Sequence, residues 1–241
     1  MKAMTRIRQW AGAMGLGIIL ENIRSMRYPR TMDNAGDKPI GLLSDSHGKN
    51  DLLLDAILLL KRLDAQTIIH LGDICDSLSP HALEGAIKIL NDHGVLSVKG
   101  NNEYAILSNH QGEHMTWLPS EVIAFLNKLP NTITLMDFWF AHSAPFDWPA
   151  ATRRPFTDYL PHLMQNEHLP FKILFSGHSH TPSILEIDGV KINKIPAKAG
   201  MKKKLSRNRR YVITVGAVEE SSLALFLPQE YAIEFLRMDR D

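Results

Sequence analysis

Residues 39–76 read PIGLLSDSHGKNDLLLDAILLLKRLDAQTIIHLGDICD and set out the organisation of the chain. The short apolar run from Pro39 to Ser44 predicts a buried strand. The leucines of Asp51 to Leu63 predict a helix with one broad apolar face and with Asn50 or Asp51 as its N-cap. Thr67 to Leu71 predicts a second strand. A strand, a helix and a strand in succession are typical of a βαβ unit, so we expect a parallel sheet.

This alternation continues to about residue 130 and then changes. Pro80 to Leu90 and Glu121 to Leu129 predict two further helices around a third strand at Val95 to Val98. Strand-like segments then follow one another with few helices between them, at Thr132–Leu135, Phe138–His142, Lys172–Ser176, Ser183–Ile187, Val190–Ile195, Tyr211–Val215, Leu223–Leu227 and Ala232–Leu236. We therefore predict an α/β fold in which a second sheet packs on the first.

Composition bounds the class of protein. The chain has 241 residues, of which 44% are hydrophobic and 22% charged, as expected for a globular protein of one large or two small domains. The single cysteine, Cys75, excludes an intramolecular disulfide and suits a reducing compartment, so we expect a cytoplasmic protein. We find no candidate transmembrane segment in the sequence.

The net charge of +1 conceals a strong asymmetry. Residues 1–30 carry six Lys and Arg against one Glu, and residues 198–210 carry seven Lys and Arg and no acid. The remainder carries 14 basic and 25 acidic residues. The sequence therefore predicts an acidic body with two basic segments.

Residues 1–37 form a basic and apolar extension ahead of a domain that we place at 38–241. Its apolar run, Trp10 to Leu20, is too short to span a bilayer, which takes about 20 residues. Apolar residues recur at helical spacing at Ile7, Trp10, Met14 and Ile18. Three interpretations stay open: a helix docked on the domain or on a second subunit of a homo-oligomer, a membrane-surface helix, or a secretion signal.

The second basic segment, 198–210, has two interpretations. We treat it as an insertion in the domain. It could bind nucleic acid, anionic lipid or an anionic substrate, or it could be a solvated loop.

Five polar clusters come directly after predicted strands, where ligands gather in α/β sheets. They are Asp45-Ser46-His47, Gly72-Asp73-Ile74-Cys75-Asp76, Gly100-Asn101-Asn102-Glu103, His142-Ser143 and Gly177-His178-Ser179-His180. The two-residue spacings of Asp45/His47 and His178/His180 predict side chains on one face of an extended segment. The glycines before Asp73, Asn101 and His178 allow sharp turns.

These clusters offer a mixed set of oxygen and imidazole ligands. Such a set suits manganese, iron, zinc, cobalt or nickel. The seven candidate ligands are too many for one site and suit two metal ions that share a bridging ligand: Asp45, His47, Asp73, Asn101, His142, His178 and His180. His70, on an apolar strand, is better explained as a core residue, and Asp76 either orients a ligand or is a solvated carboxylate.

The set of motifs D-x-H, G-D-x-x-D, G-N-x-[DE], a lone His and G-H-x-H resembles that of the calcineurin-like metallophosphoesterases, most closely their small bacterial and archaeal phosphodiesterase-like members. The resemblance runs from Pro39 to the C-terminus. It implies two mixed β-sheets packed as a sandwich, flanked by helices, with a dinuclear metal centre whose bridging hydroxide attacks phosphorus. One metal would be bound by Asp45, His47, Asp73 and His180, and the other by Asp73, Asn101, His142 and His178.

The sequence also departs from the family pattern. Many members have histidine after the motif asparagine, where it protonates the leaving group. Here that position is Asn102, which can donate a hydrogen bond but cannot act as a general acid. Asn102 is our candidate catalytic residue. Arg153 and Arg154 either bind the substrate phosphate or form an ordinary surface pair.

We therefore expect a metal-dependent phosphoesterase that acts on a small or nucleotide-like phosphate ester, and among phosphoesterases we favour a phosphodiesterase. A second hypothesis is a binding scaffold of the same fold. A third is a nuclease that uses the basic segment 198–210. The complete ligand set favours catalysis over a scaffold role.

Overall fold

The computed structural model describes residues 38–111, 118–143, 171–189 and 191–238. In chain order its strands are β1 (Ile40–Leu43), β2 (Thr67–His70), β3 (Leu96–Ser97), β4 (Thr132–Leu135), β5 (Phe138–Ala141), β6 (Ile173–Ser176), β7 (Ser183–Asp188), β8 (Lys191–Pro196), β9 (Lys202–Lys204), β10 (Arg210–Thr214), β11 (Ser222–Leu227) and β12 (Ala232–Arg237). Its α-helices are α1 (Asn50–Arg62), α2 (Leu83–Asp92), α3 (Asn101–Gln111) and α4 (Ser120–Lys128). Short 3₁₀ helices cover Pro80–Ala82 and Val218–Glu220.

The strands form two six-stranded sheets, and both are mixed. The first has the order β3-β2-β1-β11-β12-β9, with β1, β2 and β3 parallel and the other pairs antiparallel. The second has the order β4-β5-β6-β10-β7-β8, with β5, β6 and β10 parallel. The predicted α/β fold with two mixed sheets and flanking helices is confirmed.

One core lies between the sheets, and another lies between the first sheet and the helices. Alternation along β1 separates them, because Leu42 belongs to the core between the sheets and Leu43 to the helical layer. Phe140 and Phe175, from neighbouring strands, stack with ring centroids 5.2 Å apart. Leu53, from α1, is fully buried in the helical layer. Each such side chain contributes about 1.5–3 kcal/mol through burial.

Three details differ from the sequence-based expectations. Helix α3 begins directly at the Gly100-Asn101 motif and was not expected there. The N-cap of α1 is Lys49 rather than Asn50 or Asp51, and the Asn50 amide donates to the Ala82 carbonyl oxygen at 3.0 Å. The last two strands, β11 and β12, form a hairpin that joins the first sheet, where β11 pairs with β1, although their place in the sequence suggested the second sheet.

The basic segment 198–210 is not simply a solvated loop, because β9 lies within it as an edge strand paired with β12. Several of its charges have partners. The Lys202 ammonium lies 2.7 Å from a Glu230 carboxylate oxygen, and Arg209 bonds Glu186. The Arg207 guanidinium lies 4.5 Å from the ring centroid of Tyr231. This pairing reduces the positive charge that an anionic partner would meet.

The described ranges contain no helix that is long and apolar enough to cross a membrane. The extension at 1–37 lies outside the described residues, so the three interpretations of it stay predictions.

Candidate metal centre

The candidate ligands lie at the ends of strands that are neighbours in the two sheets. Asp45 and His47 follow β1, Asp73 follows β2, and Asn101 opens α3 just after β3. In the second sheet, His142 follows β5, and the last two ligands, His178 and His180, follow β6. Parallel neighbours end at the same edge of a sheet, and this places all seven side chains together.

The backbone at the ligands is left-handed rather than extended. Asp45, His47, Asp73, His178 and His180 all have positive φ, between 44° and 67°. The expectation that Asp45/His47 and His178/His180 each lie on one face of an extended segment is therefore wrong. Non-glycine residues adopt this conformation at a cost, and such strain concentrates at functional sites.

The first cluster is formed by Asp45, His47 and His180, whose ligand atoms lie within 4.8 Å of one another. The Nε2 atoms of His47 and His180 are 3.2 Å apart, and the Nε2 atom of His180 lies 3.3 Å from Asp45 Oδ1. On the outer side of the ring, His47 Nδ1 lies 2.7 Å from Asp76 Oδ1. Asp76 therefore orients His47, which resolves the two interpretations of this carboxylate.

The second cluster is formed by Asp73, Asn101, His142 and His178 and is more deeply buried. Asn101 Oδ1 lies 3.0 Å from His142 Nε2 and 2.8 Å from His178 Nδ1. His142 Nε2 also lies 3.4 Å from Asp73 Oδ2. The other nitrogen of His142 donates to the Leu71 carbonyl oxygen at 2.8 Å, so the lone pair of Nε2 faces the cluster.

Both clusters fit divalent cations by the chemistry of their donor atoms. Asp45 Oδ1 is buried and has no hydrogen-bond donor, although two imidazole nitrogens face it. A buried carboxylate oxygen without a donor is costly unless a cation compensates it. In the second cluster the facing atoms are carboxylate, amide oxygen and imidazole lone pairs, which are all electron-pair donors. The side chains present therefore suit two metal ions.

The electrostatics of the second cluster also favour positive charge. Burial lowers the pKa of His142, but the charges of Asp73 and Asp45 and the hydrogen bonds to Asp73 and to the Leu71 carbonyl oxygen together raise it to about 10. Without a metal ion, Nε2 therefore carries a proton at neutral pH, in the place that a cation would take. Burial raises the pKa of Asp73, but the charge of His142 and the hydrogen bonds from Asn102 bring it well below its usual value. The carboxylate of Asp73 is therefore ionised at neutral pH.

Glu103 is a buried residue of this site. It is the last residue of the G-N-x-[DE] motif, and the sequence alone indicated no role for it. Its carboxylate accepts hydrogen bonds from the backbone N–H groups of Asp73, Ile74 and Gly100 at 2.7–2.9 Å. Burial and the charge of Asp73 raise the pKa of Glu103 to about 7. Glu103 thus ties the turn after β2 to the start of α3, which carry two of the ligands. Its position two residues after Asn101 was the available signal.

Asn102 contacts Asp73 directly. Its Nδ2 donates to Asp73 Oδ2 at 2.7 Å, and its backbone N–H donates to Asp73 Oδ1 at 2.9 Å. Its Oδ1 accepts from the Ser77 N–H at 2.9 Å. Asn102 therefore holds Asp73 in place. The candidate substrate residues Arg153 and Arg154 lie outside the described residues.

His70 is a buried core residue, as expected. Its Nδ1 accepts from the Gly72 N–H at 3.2 Å, so its Nε2 carries the hydrogen and donates to Ser46 Oγ at 3.0 Å. The Ser46 hydroxyl donates in turn to the Ile74 carbonyl oxygen. Burial lowers the pKa of His70 to about 4. This chain of hydrogen bonds requires the neutral imidazole.

We expect His70 to make the free energy of unfolding depend on pH. The unfolded chain, with a histidine pKa near 6.5, binds more protons than the folded chain, so stability falls as pH falls from about 6.5 towards 4. The two pKa values correspond to about 3 kcal/mol at pH 4. Urea unfolding of the wild type and of His70→Asn, which keeps an acceptor for Gly72, at pH 7 and pH 4 measures this contribution. Equal losses of stability in the two proteins would contradict it.

The comparison with protein-family models identifies the family. Residues 39–219 match the calcineurin-like phosphoesterase superfamily domain. An uncharacterized protein of Methanocaldococcus jannaschii is 24% identical over 226 residues, which are 84% of this chain and 88% of that protein.

Two solved structures show the same fold. A metallophosphoesterase from Sphaerobacter thermophilus has a TM-score of 0.64 at 24% identity, over 84% of this chain and 89% of that chain. A protein described as a candidate diadenosine tetraphosphatase has a TM-score of 0.55 at 15% identity, over 89% of this chain and 97% of that one. The matched domain spans most of the sequence and contains all seven candidate ligands, and the chain belongs to the calcineurin-like phosphoesterase superfamily.

Proposed function

We propose that the protein is a dinuclear-metal-dependent phosphodiesterase that hydrolyses a small or nucleotide-like phosphate ester. The observation that carries this proposal is the convergence of seven electron-pair donors, in two adjoining clusters, at the ends of neighbouring strands. Divalent cations bound there would supply Lewis-acid activation of water and of the phosphoryl group.

The chain's own residues position the reacting groups. Asp73 supplies the buried negative charge of the second cluster, and Asn102 fixes its carboxylate through two hydrogen bonds. His142 is held by the Leu71 carbonyl oxygen and His47 by Asp76, so that each ring directs one nitrogen inward. The ligand side chains are therefore already oriented before the substrate binds, which lowers the free-energy cost of reorganising the site during the reaction.

The preference for diesters rests on Asn102. Its amide cannot give a proton to a poor leaving group such as an alkoxide, whereas an aryl oxide or a nucleoside phosphate needs little protonation when it leaves. In this structure the same amide is already bonded to Asp73 and to the Ser77 N–H. We propose that it donates its remaining N–H to a phosphoryl oxygen.

The ligand set and the lone cysteine support two further details. Three of the seven donors are carboxylate or amide oxygens and four are imidazole nitrogens, a mixed set that suits manganese, iron, zinc, cobalt or nickel, and we propose manganese as the ion to test first. Cys75 is buried and free, and burial raises the pKa of its thiol to about 11, so it is not a reactive group. A free cysteine of this kind supports the proposed cytoplasmic location.

The experiment is a substrate panel with defined metal loading. Metal-free protein is reconstituted with Mn²⁺ and assayed with bis(p-nitrophenyl) phosphate, p-nitrophenyl phosphate and glycerol 2-phosphate. We expect kcat/KM for the diester to exceed that for the alkyl monoester by about tenfold or more, since only the latter needs a general acid. Protein that binds manganese and turns over none of the three, or that hydrolyses p-nitrophenyl phosphate with a higher kcat/KM than the diester, would contradict the proposal.

A further inference from the structure

The first cluster has a carboxylate beside it that the sequence motifs do not include. Glu219 follows β10 and lies in the 3₁₀ helix Val218–Glu220. Its Oε1 atom lies 3.2 Å from His180 Nδ1 and 3.8 Å from His47 Nε2. Its side chain is about one quarter exposed (27%), so it borders the site on the solvent side.

The backbone around Glu219 is fixed to the strand end that carries Asp45. The Val218 N–H donates to the Ser44 carbonyl oxygen at 2.8 Å, and the Glu219 N–H donates to the Asp45 carbonyl oxygen at 3.3 Å. The Val218 side chain is fully buried in the core of the helical layer. The backbone of Glu219 therefore cannot shift away from the cluster without disturbing both these hydrogen bonds and this packing.

The contact of Glu219 repeats a pattern found at two other ligands. His47 has the Asp76 carboxylate at its Nδ1 atom, and His142 has the Leu71 carbonyl oxygen at the corresponding atom. In both rings an acceptor on the outer nitrogen leaves the lone pair of Nε2 facing the cluster. His180 has the same arrangement, since its Nε2 faces Asp45 and its Nδ1 faces Glu219.

We propose that Glu219 is a positioning residue of the first metal site. Its carboxylate accepts the Nδ1–H of His180, fixes the tautomer in which Nε2 is the ligand atom, and adds negative charge at the mouth of the cluster. This inference rests on the metal binding that the proposed function also uses. It does not depend on which phosphate ester is the substrate.

The test is a calorimetric titration of the metal-free protein with Mn²⁺. We expect Glu219→Ala to weaken one of the two binding events about 10–100-fold and to leave the other unchanged, as for other residues that support metal-bound histidines. Glu219→Gln, whose amide oxygen still accepts the Nδ1–H, should recover part of this loss. The affected event should be the one that His47→Ala also removes.

The neighbouring Glu220 gives a matched control. Its carboxylate lies 4.0 Å from His180 Nδ1 and its side chain is 61% exposed, so Glu220→Ala should bind both ions within about twofold of the wild type. Two unchanged binding events in Glu219→Ala, or equal weakening of both, would overturn the inference. A wild type that binds no metal would instead overturn the proposed function.

Discussion

Asp73→Asn is expected to lower phosphoester hydrolysis by about 10³-fold or more and to reduce the metal content of the purified protein. Asp73 supplies the only carboxylate of the second cluster among the described residues. Its Oδ2 atom lies 3.4 Å from His142 Nε2 and accepts a hydrogen bond from the Asn102 amide. Asparagine removes the negative charge. Depending on how its amide is oriented, it presents to the cations either an N–H₂ group, which has no electron pair to give, or an uncharged oxygen.

Elemental analysis and kcat/KM for bis(p-nitrophenyl) phosphate measure both effects. Asp55→Asn is the matched control, because it makes the same chemical change at an exposed position of α1. The control should keep wild-type metal content and activity. Full activity in Asp73→Asn would exclude this carboxylate from the metal centre.

Gly100→Ala is expected to distort the site although it alters none of the seven ligands. A Cβ atom at this position would lie 2.4 Å from the backbone nitrogen of Asp73 and 2.2 Å from its Oδ1 atom. Because a backbone atom cannot rotate away, the turn after β2 must move. We expect an activity loss of about 10²-fold or more, since misplacing a ligand by about 1 Å has effects of this size. Overpacking should also cost about 1–3 kcal/mol of stability.

The matched control for this change is Gly94→Ala. A Cβ atom at Gly94 meets no other atom within 4 Å, and its φ of +65° makes alanine cost about 1 kcal/mol. Activity assays and metal analysis should therefore separate the two alanine variants, although both lose some stability. Wild-type metal content in Gly100→Ala would show that the close approach to Asp73 is not required.

Local sequence patterns predicted most of the strands and helices because each was encoded by its own residues. The leucine-rich face of α1 and the apolar run of β1 are periodic within a few residues. Helix α3 was missed because its buried face combines the apolar pair Ile106 and Leu107 with the charged residue Glu103, so the apolar residues alone show no helical repeat. Strand β9, with the sequence KKK, has no apolar alternation and forms through its pairing with β12.

The sequence alone was sufficient for the list of candidate ligands, because each one follows a strand and the motifs occur in the family order. It did not predict how the side chains are oriented. The left-handed backbone at Asp45 and His180, the hydrogen bonds that Glu103 accepts, and the approach of Glu219 to His180 all depend on contacts between distant segments. Residue identity and spacing determine which donors are available, whereas only the packing of two sheets determines which nitrogen or oxygen each donor presents, because that choice is made by partners far away in the chain.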